Sequence, residues 1–292
     1  MKPPLFRYQA PRTLKEAVVA LASDPDAMVL AGGQSLLPAM NFRLANPSLL
    51  VDIQHVAELK GIAIEGGRII VKAMTRHREL ELDERVRAAN PLLNEAMAHV
   101  AHIPIRNRGT VVGSLCHADG AAEVPLVLVL LGGSVLVEGP AGRREIAADE
   151  FFRFHLTTTR RRDEIAVEAR FPVLRADSGW AFDEVTRRHG DYAIAGVGAV
   201  VRMNADGRLS EIRLAACGVT SRPIRLPEAE KLLNGTALSE ADLKAAGRAA
   251  AEAVTAPDDM HASNAYRRRA VATLVRRMAA KAATRARERI GR

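Results

Sequence analysis

Short helical and strand patterns alternate along this chain as far as Pro172, and longer strands followed by helices replace them beyond Ser178. That change of texture bounds the fold more tightly than any other feature. Strands followed by helices point to an α+β unit, and a length of 292 residues suits about two domains of ~150 residues each. The chain is 48% hydrophobic, enough for a substantial core. No repeat of solenoid length recurs.

In the first part, Leu14, Val18 and Leu21 recur at helical spacing, and Met28-Val29-Leu30-Ala31 reads as a buried strand that stops at Gly32-Gly33. Leu49 to Ile53 is a second strand, and a hairpin joins Ile62–Ile64 to Arg68–Val71 across Glu65-Gly66-Gly67. Asn90-Pro91 opens a helix, with Asn as cap and Pro at the first helical position. An apolar run from Pro125 to Leu131 precedes a strand at Ser134–Val137. From Ile165 to Phe171 the side chains alternate, which predicts a half-buried strand ended by Pro172. Val173 to Ser178 reads as a linker. Beyond it lie strands at Trp180–Thr186, Gly196–Met203 and Leu209–Cys217, the last two joined by a turn at Asn204–Gly207. Ser239-Glu240-Ala241-Asp242 then starts a helix with a capping box.

A net charge of +8 raises the question of nucleic acid. Much of the excess lies between Arg267 and Arg292, where Val271, Leu274, Val275 and Met278 recur at helical spacing. The stretch reads as an amphipathic helix with a solvated basic face, docked on its own domain or a neighbouring subunit. Aromatics for base stacking are sparse and no reading motif occurs, so nucleic-acid binding is not expected. No apolar run approaches the ~20 residues that cross a bilayer. The start, Met1 to Tyr8, lacks the apolar stretch of a signal peptide, so a cytoplasmic location is expected. Neither Cys116 nor Cys217 sits in a CxxC pair, and the chain alone cannot hold a four-thiolate iron–sulfur cluster. Nor do the histidines form HExxH or a comparable metal set.

Two glycine loops carry the chemistry. In Ala31-Gly32-Gly33-Gln34-Ser35-Leu36-Leu37 a strand runs into paired glycines and then a hydroxyl. Glycine lets backbone N–H groups come close to phosphate oxygens, and the serine can donate as well; a tight turn without ligand is the other reading. Ser35 has no evident partner base, which favours binding over nucleophilic attack. The second loop, Arg106-Asn107-Arg108-Gly109-Thr110-Val111-Val112-Gly113-Ser114-Leu115-Cys116-His117-Ala118-Asp119, again offers glycine, hydroxyls and flanking arginines, with Glu123 beyond. Two such loops can grip a pyrophosphate while a carboxylate accepts ribose hydroxyl protons; a surface turn whose charges merely pair is the alternative. Neither loop fits GxGxxG or GxxxxGK[ST]. Cys116 reads as a small filler beside the second loop.

Taken together, Ala31 to Pro38, Ile105 to Ser114, His117 to Pro125, Phe151-Phe152, Asp163-Glu164-Ile165, Trp180-Ala181-Phe182 and Arg187 to Ala193 resemble, in order and over nearly the whole chain, the medium FAD-binding subunit of the carbon-monoxide-dehydrogenase/xanthine-dehydrogenase family of molybdenum hydroxylases. The resemblance implies an α+β fold: a two-lobed PCMH-type FAD-binding domain over residues 1–172, with lobes at about 1–57 and 58–172, and a smaller α+β C-terminal domain over 179–292. It implies FAD held by two pyrophosphate loops, Ala31, Gly32, Gly33, Gln34, Ser35 and Leu36 in one, Thr110, Val111, Val112, Gly113 and Ser114 in the other. His117, Asp119 and Glu123 match positions on the adenosine side, Ile165 an apolar contact near the cofactor, and Tyr192 the residue over one face of the isoalloxazine ring.

By the same implication the molybdenum cofactor and the iron–sulfur clusters belong to a large and a small partner subunit, in a dimer of heterotrimers. The flavin would take electrons from the clusters and pass them to an external acceptor. No catalytic acid–base pair is then required here. A stand-alone flavoenzyme of the same fold is the alternative function; a basic scaffold whose glycine loops are only turns is the reading from another class. Two departures stand out. Val112 replaces the first of two adjacent family glycines, which predicts an altered loop and makes Val112→Gly neutral or favourable for binding. Asp183 and Glu184 stand where family members often carry a lysine.

Overall fold

The computed structural model describes residues 2–256 and 258–290; Met1 of the N-terminal reading and Arg292 of the basic run lie outside the described residues. The first lobe contains β1 (Arg7–Gln9), α1 (Leu14–Ala22), β2 (Ala27–Leu30), α2 (Leu36–Asn41) and β3 (Leu49–Asp52). Its three strands form a parallel sheet in the order β1-β3-β2. Thr13 caps α1 in a capping box with Glu16, and Leu14, Ala17, Val18 and Leu21 turn to the core. β2 is less buried than its composition predicts, because it is an edge strand and Met28 lies 41% exposed.

The second lobe begins with β4 (Ile62–Glu65), β5 (Arg68–Lys72) and four short helices, α3 (His77–Leu82), α4 (Glu84–Ala89), α5 (Pro91–Met97) and α6 (Ile103–Arg106). There follow α7 (Val111–His117), α8 (Glu123–Leu131), β6 (Ser134–Gly139), β7 (Gly142–Ala147), α9 (Ala148–Phe151), β8 (Phe152–Phe154), β9 (Thr157–Thr158) and β10 (Ile165–Pro172). The antiparallel sheet has the order β4-β5-β10-β6-β7. β10 is therefore central, not half-buried as its alternation predicts: all but Arg170 and Pro172 are buried. Glu168 is tolerated there because Lys72 and Arg170 pair with it. Asn90 does precede α5, but its side chain donates to Pro172 O at 2.9 Å rather than capping the helix.

The C-terminal part is a meander, β11 (Gly179–Val185), β12 (Ala195–Met203), β13 (Leu209–Cys217) and β14 (Ile224–Arg225), followed by α10 (Pro227–Leu233), α11 (Glu240–Glu252) and α12 (Asn264–Ile290). α12 covers one face of this sheet, while α8 and α5 of the second lobe press on the other. Gly198 makes that approach possible, since a Cβ there would stand 2.6 Å from Leu130 and 2.9 Å from Leu126. The basic face of α12 is only partly solvated. Arg285 and Arg289 lie 4.9 Å from the Trp180 ring centroid, and the Trp180 indole and Arg285 both donate to Glu95 of α5. Arg267 is buried and donates to Ile194 O, Gly218 O and Asp259.

Candidate functional site

The two glycine loops touch. A Cβ on Gly32 would lie 2.5 Å from Arg108 O, 2.7 Å from Gly109 Cα and 3.0 Å from Thr110 N. Only glycine lets these backbones meet.

β2 delivers the first loop to that contact. Gly33 turns the chain at φ +71°, a region side-chained residues rarely enter, and the Leu37 amide donating to Gly33 O opens α2. Among the described residues, the amides of Gly32, Gly33, Gln34, Ser35 and Leu36 donate to no protein acceptor. Ser35 stands at the N-cap of α2, yet its hydroxyl makes no capping bond, so it too is free to donate.

The second loop is pinned from below. The Val111 amide donates to Thr75 O, and the His77 amide to Gly109 O, so the segment 75–77 fixes Gly109–Val111. Thr110 caps α7 by accepting from the Gly113 amide at 3.1 Å. Gly113 is required by that cap, since its Cβ would stand 2.6 Å from Thr110 Oγ1. The amides of Thr110 and Val112 remain without acceptors among the described residues. Half-buried donors left unpaired in this way are a cradle for an anion.

Val112 is not the obstacle the sequence suggests. It is the second residue of α7, is not among the residues with positive φ, and its side chain is buried in the core. The helix supplies its backbone conformation and the interior needs its bulk. Of the flanking arginines, the side chain of Arg106 is engaged elsewhere. Arg106 is buried and donates to Glu81, Val100 O and Ala101 O, while Arg108 lends its carbonyl to the Arg76 guanidinium. Under the loop sits a residue that sequence reasoning missed: His77 is buried, neither ring nitrogen has a partner, and Gly109 packs against it. Burial, then the charges of Arg106 and Arg76, push its pKa down to about 4, so it serves as a neutral slab. Its only signal in the sequence was an isolated histidine, which carries no information by itself.

Asp119 and Glu123 follow α7, where Asp119 accepts from the Ala121 amide. Glu123 is the first residue of α8 and is buried. Tyr192 is 52% exposed, and burial together with the charges of Asp119 and Glu123 raises its phenol above the usual tyrosine range. Between the two acids, Gly120 packs on Thr220 and Ser221, and the Gly218 amide donates to Gly120 O, so this turn lies against the C-terminal part. Burial lowers the pKa of His117 against the opposing pull of Asp119. Glu184 faces inward and meets His99 at 3.3 Å, whereas Asp183 accepts from the Glu184 amide. Ile165 heads β10, beside α7, and is only 1% exposed. A cleft of about 640 Å³ also opens next to the second loop, lined by Gln54, Lys60, Thr75 and Arg76. Two of its acids are satisfied internally: Glu79 accepts from the Arg76 amide, and Asp83 pairs with the Arg85 guanidinium.

Residues 4–174 match the family described as FAD binding domain in molybdopterin dehydrogenase, and residues 180–282 match the CO dehydrogenase flavoprotein C-terminal domain. The chain is 42% identical to the 6-hydroxypseudooxynicotine dehydrogenase complex subunit alpha of Paenarthrobacter nicotinovorans, covering 98% of this chain and 97% of that one. It is 35% identical to the carbon monoxide dehydrogenase medium chain of Hydrogenophaga pseudoflava, covering 95% and 96%. A chain of quinoline 2-oxidoreductase from Pseudomonas putida 86 superimposes with a TM-score of 0.94 at 38% identity, covering 98% and 99%. With both of its parts matched in order by family and by fold, this chain belongs to the FAD-binding medium subunits of the molybdenum hydroxylases, an oxidoreductase family.

Proposed function

We propose that this chain holds FAD across the contact of its two glycine loops and relays electrons from iron–sulfur clusters of a partner subunit to an external acceptor. The observation that carries the reading is the set of seven unpaired amides, from Gly32 to Leu36 and at Thr110 and Val112, gathered where the loops touch. A pyrophosphate is the part of FAD that such donors fit. Flavin, when bound, supplies the redox chemistry; the protein supplies position, polarity and access.

In this reading Ala31 to Leu36 and Thr110 to Ser114 bind the pyrophosphate, with Ser35 adding its hydroxyl. Tyr192 covers the isoalloxazine. Asp119 and Glu123 line the adenosine side, with the Glu123 carboxylate accepting from a ribose hydroxyl. His117 joins the same wall, and Ile165 contributes to the apolar floor beside α7. The functional division is residues 1–172 for the FAD-binding domain and 179–292 for the smaller domain that carries Tyr192.

The partners are a large molybdenum-cofactor subunit and a small iron–sulfur subunit, assembled as a dimer of heterotrimers in the cytoplasm. Among the described residues no helix is long and apolar enough to cross a membrane. Purification of the tagged chain from its native cells tests this. Two further polypeptides, with molybdenum and iron in the complex, are expected. A flavoprotein that purifies alone and turns over a substrate unaided would favour the stand-alone enzyme.

A further inference from the structure

A turn and a short helix tie the loop that carries Tyr192 to the second glycine loop. In the turn, which follows α5, Ala101 takes φ +46°, where a side-chained residue is uncommon and must be held. Arg106 holds it: Nη1 donates to Val100 O at 3.0 Å and to Ala101 O at 2.8 Å. The Glu81 carboxylate fixes the same guanidinium, at 2.9 Å from Nε and 3.3 Å from Nη2. His102 stands at the N-cap of α6, and its carbonyl accepts from the amides of Ile105 and Arg106. The Gly109 amide then donates to Ile105 O at 2.7 Å. The segment thus ends in the loop that meets Gly32.

The Tyr192 loop joins β11 to β12, and the Ile194 amide closes its base by donating to Val185 O at 2.8 Å. Arg187, Arg188, His189, Asp191 and Tyr192 are exposed, while Gly190 among them is sheltered. The turn provides the shelter. A Cβ on Gly190, where φ is +87°, would lie 2.8 Å from His102 Cε1, 2.9 Å from His102 Nδ1 and 3.1 Å from Ala101 C. The His102 and His189 rings are 6.4 Å apart between centroids and tilted by 31°. At the start of the loop, Glu184 pairs with His99 Nδ1 at 3.3 Å. The loop is therefore held at Glu184 and at Gly190, and both partners, His99 and His102, belong to the turn between α5 and α6. Tyr192 follows the second point by two residues, at most ~7 Å of chain.

We propose that His102 is a positioning residue for the flavin: its ring is the seat of Gly190, and through that contact it holds Tyr192 over the isoalloxazine. The inference rests on the FAD reading. Stacking needs ring contact, and exposed loop residues do not fix a tyrosine by themselves. His102 makes no capping bond to α6 with its side chain, which leaves the ring for this contact. Arg106 braces the seat by fixing the carbonyls of Val100 and Ala101. One segment, His99 to Thr110, then sets two parts of the cofactor: the pyrophosphate through Gly109 and Thr110, and the ring system through Gly190 and Tyr192.

The test uses the holo-complex and reads the excited-state lifetime of the flavin, which a tyrosine in ring contact shortens by electron transfer that falls steeply with distance. His102 is exposed, so its replacement leaves the core intact. In His102→Ala the lifetime is expected to lengthen by about threefold or more, with FAD still bound and its Kd within about threefold of wild type. His102→Phe keeps a ring under Gly190 and should retain the wild-type lifetime. Tyr192→Ala should lengthen it at least as much as His102→Ala, and combining the two should add nothing, since the histidine acts through the tyrosine. A wild-type lifetime in flavin-loaded His102→Ala, or a full further lengthening on top of Tyr192→Ala, overturns the positioning role. An unchanged lifetime in Tyr192→Ala would instead overturn the placing of Tyr192 over the ring, and a wild-type complex without FAD the cofactor reading itself.

Discussion

Replacing Gly32 by alanine separates the two loops that the account brings together. The new Cβ would stand 2.5 Å from Arg108 O, against an ordinary contact of 3.4 Å or more, so the backbones must part by about 0.9 Å. A hydrogen bond of ~2.9 Å lengthened by that amount no longer bonds. If two amides are withdrawn from the pyrophosphate, at ~1.5–3 kcal/mol for each bond to a charged group, binding weakens by about 3–6 kcal/mol. That is roughly a hundredfold to ten-thousandfold in Kd. Quenching of FAD fluorescence by the deflavinated protein measures it, with circular dichroism to verify the fold. Gly207→Ala is the control: its φ is +80° but nothing lies within 4 Å, so it carries backbone strain without loop separation. A folded Gly32→Ala protein whose Kd stays within about threefold of wild type would refute the reasoning.

Val112→Gly should lower stability by about 3 kcal/mol, the burial of a valine plus the helical cost of glycine, as read by urea unfolding; an unchanged midpoint would return Val112 to the loop. Arg267→Met should cost about 3 kcal/mol or more in the same assay, because Ile194 O and Gly218 O lose their buried donor; a loss under ~1 kcal/mol would mean water replaces it. His77 contributes a pH dependence of definite sign. Its folded pKa lies below the unfolded value, so its contribution is fully present above about pH 6.5 and is lost as pH falls towards about 4. At ~1.36 kcal/mol per pH unit the loss reaches about 3 kcal/mol, and His77→Phe should flatten the unfolding free energy between pH 6.5 and 4; an unchanged slope would assign the acid sensitivity to other groups.

The sequence made the strands, the Ser239 capping box and both loops legible, because local patterns encode them. Ser239 and Asp242 form their capping box as read, and β13 spans Leu209–Cys217 as its strand reading after the Asn204–Gly207 turn indicates. What stayed hidden depends on contacts between distant segments. The burial of β10 follows from its central place in the sheet, which no run of eight residues reveals. Val112 looked like a defect in a glycine motif and is a helical core residue. Arg106 looked like a phosphate ligand and is consumed by Glu81 and two carbonyls. Glu184 read as the loss of a lysine, and only the fold brings it to His99.

Acid precipitation of the purified complex, with chromatography of the released flavin, tests the central claim most directly. The account predicts one FAD per chain of this subunit, recovered in the supernatant because nothing links it covalently. Recovery of FMN, of flavin that stays with the precipitate, or of no flavin from folded protein would contradict it.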